Sequence, residues 1–431
     1  MKLTIFQSDK GDCLLLESSD GKRILCDGGM RPAMQNVVRK ELAKLRPPTL
    51  DYVYISHIDQ DHIAGVVQLL EDAIEWKLYD HHRVARTPIA EPEVPRPPAI
   101  GGIWHNAFRD QVGENADKVE DLLAASAPSL LASGDPEIAS LGADYQQIAL
   151  SIPEAIKVSQ FSSAKLLGIP VNQLPGAQRP SKLMMIRRNQ PGIAVGSMTL
   201  TIVGPSVKEL EQLKKGWNTW LDSSENQDSL GRTRKQIREK IEGFSNFETF
   251  DRPWNGVLPY KGVTTPNIAS LMFMVEENGK RLLLTGDSQQ DIILAGLKAT
   301  GFLQQGALHL DVLKVQHHGS EHNLDENFAR HVSADHYIFC GNGMNGNPET
   351  RVIDLIYQSR MGKAAVRALA PKASGKPFHF WFSTTSAAQR QGSTERKAYA
   401  AVEKHVAGLV AQSGGRLQAT FNTGTSTTLT I

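Results

Sequence analysis

The stretch from His57 to His62 places two imidazoles and two carboxylates within six positions, directly after the apolar run Tyr52-Val53-Tyr54-Ile55. Its metal-capable side chains are His57, Asp59, Asp61 and His62. Asp is almost never fully buried without a partner, so two carboxylates at the end of a buried strand indicate a cation among them. Imidazole nitrogen and carboxylate oxygen both bind Zn²⁺ at about 2 Å, and Asp also suits Mn²⁺ or Mg²⁺. The stretch therefore predicts a metal site, and a solvated polar loop is the alternative.

Two later strand-like stretches end in the same kinds of residue. Residues 281–284 run into Thr285-Gly286-Asp287, and residues 311–315 run into the adjacent pair His317 and His318. Sites in α/β proteins form where strands end, so we expect these side chains to meet those of residues 57–62.

Other polar residues stand at or near the ends of predicted strands. Asp27 follows the strand at residues 23–26 and precedes two glycines, where a capped turn is the alternative to a functional role. Lys314 and Ser320 flank the histidine pair and could meet a phosphate. A lysine in a strand more often lies on the solvent face, which we expect of Lys314.

Composition limits the class of protein. The chain has 431 residues, 40% of them hydrophobic, and a formal net charge of +1, so no overall field favours nucleic acid or membrane. Its three cysteines form no Cys-x-x-Cys pair, which indicates a reducing compartment and a site without thiolates. No signal-peptide pattern and no run of about 20 apolar residues is evident, so we expect a cytoplasmic protein.

The order of elements is typical of an α/β protein, with strand and helix patterns alternating over residues 1–77. We expect one hydrolase domain over 1–431, interrupted by a largely helical insertion, a cap or lid, at 78–190 and a smaller helical one at 207–260. Residues 87–98 hold five prolines and predict a stiff connector that cannot join a central sheet. Five cations within residues 230–241 could contact phosphates, although a solvated helix face is favoured.

These motifs resemble those of the metallo-β-lactamase fold hydrolases, in particular the ComEC-type hydrolase domain and the bacterial phosphorylcholine esterases. The matching pieces are Gly11-Asp12, Asp27-Gly28-Gly29, the His-x-Asp-x-Asp-His of 57–62, Thr285-Gly286-Asp287 and the Leu-Lys-Val-x-His-His-Gly-Ser of 313–320. The resemblance implies a four-layer α/β/β/α sandwich with two divalent ions, Zn²⁺ or Mn²⁺, at one edge.

Carried over residue by residue, the resemblance assigns His57, Asp59 and a bridging Asp287 to one ion. The second ion takes Asp61, His62, Asp287 and one histidine of the 317/318 pair, with His318 favoured. Asp27 and Ser320 would orient ligands, and Asp59, Asp61 and His317 would serve catalysis. Asp59 stands where most of the superfamily has histidine, no histidine lies near Gly204-Pro205, and Asn347 replaces a histidine of the ComEC-type loop.

The expected reaction is hydrolysis by a hydroxide held at two metal ions. Three carboxylates facing two divalent cations leave one positive charge, which such a hydroxide brings to zero. This favours a phosphodiesterase or nuclease acting on a phosphoester, with nucleic acid a candidate substrate and no membrane involved. The alternatives are a hydrolase of a small ester, lactone or amide, and a binding or regulatory module with a vestigial site.

Overall fold

The computed structural model describes residues 1–106, 154–155, 157–181, 183–208, 210, 269–303 and 306–431. Residues 107–153, 156 and 182 of the predicted insertion at 78–190 lie outside the described residues, as does nearly all of the one at 207–260, including the basic stretch 230–241.

Sixteen strands are described, most of them short. In chain order they are β1 (Lys2–Phe6), β2 (Leu14–Glu17), β3 (Arg23–Cys26), β4 (Thr49–Leu50), β5 (Tyr52–Tyr54), β6 (Ala99–Ile100), β7 (Ile103–Trp104), β8 (Ile193–Val195), β9 (Met198–Gly204), β10 (Met272–Glu277), β11 (Lys280–Leu284), β12 (Leu308–Lys314), β13 (Val332–Phe339), β14 (Phe378–Phe382), β15 (Leu417–Phe421) and β16 (Ser426–Thr430).

Besides short 3₁₀ turns and the helical residues 154–155 and 157–162, six helices have both ends within the described part of the chain. They are α1 (residues 31–42, with a π-helical turn at Met34–Val38), α2 (Gln60–Ala85), α3 (Gln290–Ala299), α4 (Glu326–His331), α5 (Thr350–Met361) and α6 (Thr394–Gln412).

The strands form two mixed sheets and one small strand pair. The first sheet has the order β16-β1-β2-β3-β5-β7, and the second has the order β15-β14-β13-β12-β11-β10-β9-β8. In the first sheet β3, β5 and β7 run parallel, and in the second β11 to β15 do so. The short strands β4 and β6 pair separately.

Three apolar cores separate four layers. Between the sheets pack side chains such as Leu16, Phe273 and Val312, and the other face of the first sheet packs on α1 and α2. The other face of the second sheet packs on α3 to α6. The alternation of a strand produces this division, because Leu16 faces the second sheet while its neighbour Leu15 faces the helices. The predicted α/β/β/α sandwich is confirmed.

The parallel strands carry their following loops to one edge. β3 leads to Asp27, β5 to His57, β11 to Asp287 and β12 to the pair His317 and His318. This is the edge where sequence analysis placed the metal site.

Several sequence expectations need adjustment. α2 continues to Ala85, past residue 78, and β7 inside the stretch 78–190 joins the first sheet beside β5. Residues 87–98 contribute no strand, as expected of their prolines. Sequence analysis did not predict β13, β15 or α6. Within the described ranges we find no helix with the length and apolar character needed to cross a bilayer.

The loop after β3 crosses the start of α2 at two glycines. Gly28 N–H donates to His62 O at 2.8 Å, and Gly65 N–H donates to Gly29 O at 2.9 Å. A Cβ at Gly65 would lie 1.9 Å from Gly28 O, and one at Gly28 would lie 2.3 Å from Val66 N. Since both obstacles are backbone atoms, a side chain at either position would force the helix that carries His62 away from the sheet.

We expect Gly65→Ala to lower the free energy of unfolding by about 2–3 kcal/mol, because the added methyl overpacks a backbone crossing. Urea unfolding of the metal-free protein measures it. The control is Gly408→Ala in α6, where a Cβ meets nothing within 4 Å and should be neutral or stabilising by up to about 1 kcal/mol. Equal stability of the two variants would contradict the close contact between the backbone at Gly28 and that at Gly65.

Candidate metal centre

One oxygen of Asp287 is the point on which four imidazoles converge. Asp287 Oδ2 lies 3.2 Å from His62 Nε2 and 3.3 Å from His318 Nε2. It lies 3.8 Å from His57 Nε2 and 3.8 Å from His317 Nε2. Two ligands about 2.1 Å from one Zn²⁺ at a tetrahedral angle are about 3.4 Å apart. The separations are therefore those of side chains that can share ions.

Asp59 and Asp61 stand beside two of these histidines. Asp59 Oδ2 is 3.6 Å from His57 Nε2, and Asp61 Oδ2 is 3.4 Å from His318 Nε2. Asp59 is the N-cap residue of α2, but its side chain makes no capping hydrogen bond and lies toward the histidine instead. The structure thus brings together every side chain to which sequence analysis assigned a metal.

Asp27 contacts the ring nitrogen of His62 that points away from Asp287. Asp27 Oδ2 lies 2.9 Å from His62 Nδ1 and accepts from the Ser56 hydroxyl at 2.8 Å, and Asp27 Oδ1 accepts from Ser56 N–H at 2.7 Å. A carboxylate at Nδ1 fixes the ring so that Nε2 faces the site. Such a carboxylate is a usual hydrogen-bond partner of a metal-bound histidine. The orienting role expected of Asp27 agrees with this geometry.

Asp12 and Lys314 belong to the same cluster, and sequence analysis missed the first and misplaced the second. Asp12 Oδ1 lies 3.0 Å from His318 Nδ1, and Asp12 Oδ2 accepts a short hydrogen bond from Lys314 Nζ. Lys314 Nζ also lies 3.5 Å from Asp287 Oδ1. The lysine is 1% exposed rather than on a solvent face, because the two sheets close over its end of β12. The motif Gly11-Asp12 was the available signal for Asp12.

A compact subset of these groups could hold an ion by distance alone. Asp12, His62, Asp287 and His318 each offer a ligand atom, and these atoms all lie within 4.8 Å of one another. Asp12 already contacts Lys314 and the Nδ1 side of His318, so its position is that of an orienting group.

The two histidines after β12 differ in their surroundings. His318 is buried, whereas the His317 side chain is 24% exposed and its Nδ1 lies 2.7 Å from Asn323 Oδ1. Both residues have left-handed backbone, with φ of 46° and 55°. Such strain is uncommon outside glycine and persists where the surroundings impose it, often at functional sites. Of the two, His318 is the buried one, and its Nε2 lies near both Asp61 and Asp287.

Other predicted neighbours contact the centre less directly. Ser320 is buried, and its hydroxyl accepts from His322 N–H within its own loop, while its backbone N–H donates to His317 O at 2.9 Å. Asn347 donates to His317 O at 3.5 Å. Lys10 Nζ lies 3.9 Å from Asp61 Oδ2, at the more open side of the cluster.

His105 is a buried imidazole near His57 that sequence analysis did not single out. It follows β7 and is 1% exposed. Among the described residues neither ring nitrogen has a hydrogen-bond partner. Burial, and then the neighbouring His57, lower its pKa to about 3, so the ring is neutral.

Charges in the cluster shift one another strongly. Burial opposes ionisation of Asp61 and Asp287, but histidines and lysines outweigh it and hold the pKa of each carboxyl below its ordinary range. Burial likewise opposes the imidazolium form of His62 and His318. The surrounding carboxylates, Asp287 foremost, nevertheless raise the pKa of both rings well above the ordinary value. The cluster therefore needs cations, either protons or metal ions.

Unsatisfied polar atoms test whether ions fit this cluster. His57 Nε2, His318 Nε2 and Asp287 Oδ1 are buried and have no hydrogen-bond partner within the described part of the chain. Buried polar atoms are normally paired, so these three indicate ligands for something other than protein. Imidazole nitrogen and carboxylate oxygen suit Zn²⁺ and Mn²⁺, and the residues fit the group.

One comparison with known proteins agrees with this architecture over part of the chain. Residues 9–126, less than half of the chain, match the family model described as the metallo-beta-lactamase superfamily. The fold is that of the metallo-β-lactamase superfamily. A search of curated proteins found none that matches. Among solved structures the chain is similar to Zn²⁺-bound PqqB from Methylobacterium extorquens, at 10% identity over 100% of each chain and a TM-score of 0.30. A likeness at that level says nothing about the reaction.

In this metallo-β-lactamase fold we expect His318→Ala to lose about one metal equivalent per chain, because His318 Nε2 faces both Asp61 and Asp287. His317→Ala, the matched variant one position away, should keep the wild-type content. Elemental analysis after equilibration with Zn²⁺ measures both. Loss of metal from the His317 variant alone would reverse the assignment.

We also expect metal binding to release protons. The raised pKa values of His62 and His318 mean that both rings are protonated in the metal-free protein near neutral pH, whereas a metal ion takes the neutral ring. Zn²⁺ affinity should therefore rise with pH, by about tenfold per pH unit for each proton released. Calorimetry in two buffers of different ionisation enthalpy counts the protons, and an affinity independent of pH would contradict this.

Proposed function

We propose that this protein is a metal-dependent hydrolase of phosphoesters, a phosphodiesterase or nuclease that uses two divalent ions. The observation that carries the proposal is a charge imbalance. Five carboxylates are each at most 5% exposed in one cluster, namely Asp12, Asp27, Asp59, Asp61 and Asp287. Lys314 and Lys10 are the ammonium groups that the described residues place against them.

Unpaired buried charge is too costly for a folded protein to keep. Five carboxylates against two ammonium groups leave three negative charges in the cluster, with the histidines neutral. Two divalent cations change this to one positive charge, which a hydroxide held at the ions would bring to zero. A centre without negative excess can accept an anionic substrate such as a phosphodiester, which three unbalanced carboxylates would repel.

The protein's own residues would prepare this centre. His57, Asp59 and Asp287 would hold one ion, and Asp61, His62, His318 and Asp287 the other. Asp27 and Asp12 keep His62 and His318 turned so that each Nε2 faces Asp287. Divalent ions, when bound, lower the pKa of water and offset the charge of a phosphoryl group.

Lys10 and His317 stand where substrate would enter. Lys10 Nζ approaches Asp61 from the open side, and His317 is the partly exposed member of the histidine pair. We assign Lys10 to a non-bridging phosphate oxygen and His317 to proton transfer at the leaving oxygen. The resemblance of the motifs to the ComEC-type domain and the phosphorylcholine esterases supports the same substrate class.

We expect turnover of bis-p-nitrophenyl phosphate with Mn²⁺ or Zn²⁺, and its loss together with the metal in Asp61→Ala and His62→Ala. The control is Asp80→Ala, also in α2, which removes a surface ion pair with Arg96 and should change neither. Elemental analysis and circular dichroism establish metal content and folding for each variant. Turnover retained in a metal-free Asp61 or His62 variant would contradict the assignment.

The same assay separates the alternatives. A panel of single- and double-stranded DNA, RNA and carbonyl esters distinguishes a nuclease from a small-molecule phosphodiesterase and from an ester hydrolase. If the wild-type protein binds no divalent ion, both hydrolase hypotheses are excluded and the binding or regulatory module is the remaining function.

A further inference from the structure

A cavity of about 460 Å³ opens at the same edge of the sandwich as the metal centre. Its walls come from the loop after β1, from α1, from the loop after β13 and from the loop that leads into α6. The volume is that of a site for a small ligand or part of one.

Two walls of the cavity continue directly into the metal centre. Asp9 lines the cavity, and the next residue, Lys10, reaches Asp61. Asn342 lines it too and follows Gly341, where a Cβ would lie 3.2 Å from His318 Cβ. A molecule reacting at the metal centre can therefore extend into the cavity past Lys10 and Asn342.

The charged lining is acidic on balance. Asp9 and Glu395 face the cavity with one cation, Arg390, which leaves one negative charge. Burial and, to a smaller extent, Glu395 raise the pKa of Asp9, while the Asn342 amide and Lys10 oppose that rise. Since Lys10 lies toward the metal centre, an anionic group would be repelled where it approaches Asp9 and Glu395 but not beside Lys10.

The uncharged lining is mixed. Asn36, Gln7 and Gln389 present amides, Thr384 and Ser393 present hydroxyls, and the apolar members are Pro32, Ala33, Val37, Met344 and Ala388. The Asn342 amide already donates to Asp9, so that pair is fixed in place. The carboxylates of Asp9 and Glu395 only accept, and the amides and hydroxyls can accept as well as donate, so the polar part of the lining can serve a ligand with several O–H or N–H donors.

We infer that this cavity binds the alcohol portion of the substrate, a donor-rich polar group of the polyol or amino-alcohol kind, while its phosphoryl group lies at the metal centre. The inference rests on the proposed function and narrows it. A polynucleotide would bring a second phosphate toward Asp9 and Glu395, so a small phosphodiester is the substrate class and long nucleic acid is not.

Equilibrium binding tests the cavity without turnover. Calorimetric titration of the Mn²⁺-loaded protein compares glycerol 3-phosphate and ethanolamine phosphate with ethyl phosphate, which lacks further donors. At least one donor-rich ligand should bind about tenfold more tightly than ethyl phosphate, a difference of about 1.4 kcal/mol. In Asp9→Asn and Glu395→Gln this ratio should fall toward one.

The control variant is Glu326→Gln, at the exposed start of α4 and outside the cavity lining, which should keep the wild-type ratio. The relative affinities of the polyol and the amine distinguish the two kinds of alcohol. Equal binding of all three ligands by the wild type would overturn the inference, as would variants that weaken every ligand equally. Failure of the proposed function shows separately, as absent hydrolysis of bis-p-nitrophenyl phosphate with the binding preference intact.

Discussion

The excess of buried negative charge around Asp287 is the constraint on which the rest of this structure depends. Each carboxylate loses its hydration on burial and must recover that free energy from a partner. The partners come from distant parts of the chain. His62 lies in the first turn of α2, which packs on the first sheet, and Lys314 is the last residue of β12 in the second sheet. Closing the two sheets on each other and assembling the centre are therefore one event.

The orienting carboxylates join the sheets as well as the ligands. Asp27 and its target His62 both belong to the first sheet's side. Asp12 also belongs to that side, but it bonds His318 and Lys314 of the second sheet. Because Asp12 bridges the sheets, the same contact that turns a ligand also fixes the spacing between the layers. A loss of alignment between the sheets would separate His318 and Asp287 of the second sheet from Asp61 and His62 of the first sheet's side.

Local pattern was enough to predict an α/β protein and most residues of the centre, and the resemblance of the motifs added the four layers. Apolar runs ending in Asp or His identify strands and the edge where they meet, as with Asp287 and His318. Pattern failed where the answer depends on distant packing. Lys314 reads as a solvent-facing strand residue, and only the covering first sheet makes it buried. Asp12 reads as a turn residue, and its role depends on a contact 306 positions away. β13 mixes polar and apolar residues without regular alternation, whereas the alternation of β15, Leu417-Gln418-Ala419-Thr420-Phe421, is a signal that sequence analysis overlooked.

The geometry at His318 and one wall of the cavity both depend on the loop after β13, at Gly341 and Asn342. His317, His318 and Gly319 all have left-handed backbone, a conformation that two consecutive histidines adopt only when their surroundings hold them. One part of that support is the backbone at Gly341, whose φ of 126° and missing side chain let it approach His318. The next residue, Asn342, forms a wall of the cavity and bonds Asp9. A group bound in the cavity would therefore contact the residue that follows Gly341, so the cavity and the backbone that supports His318 are adjacent in the chain.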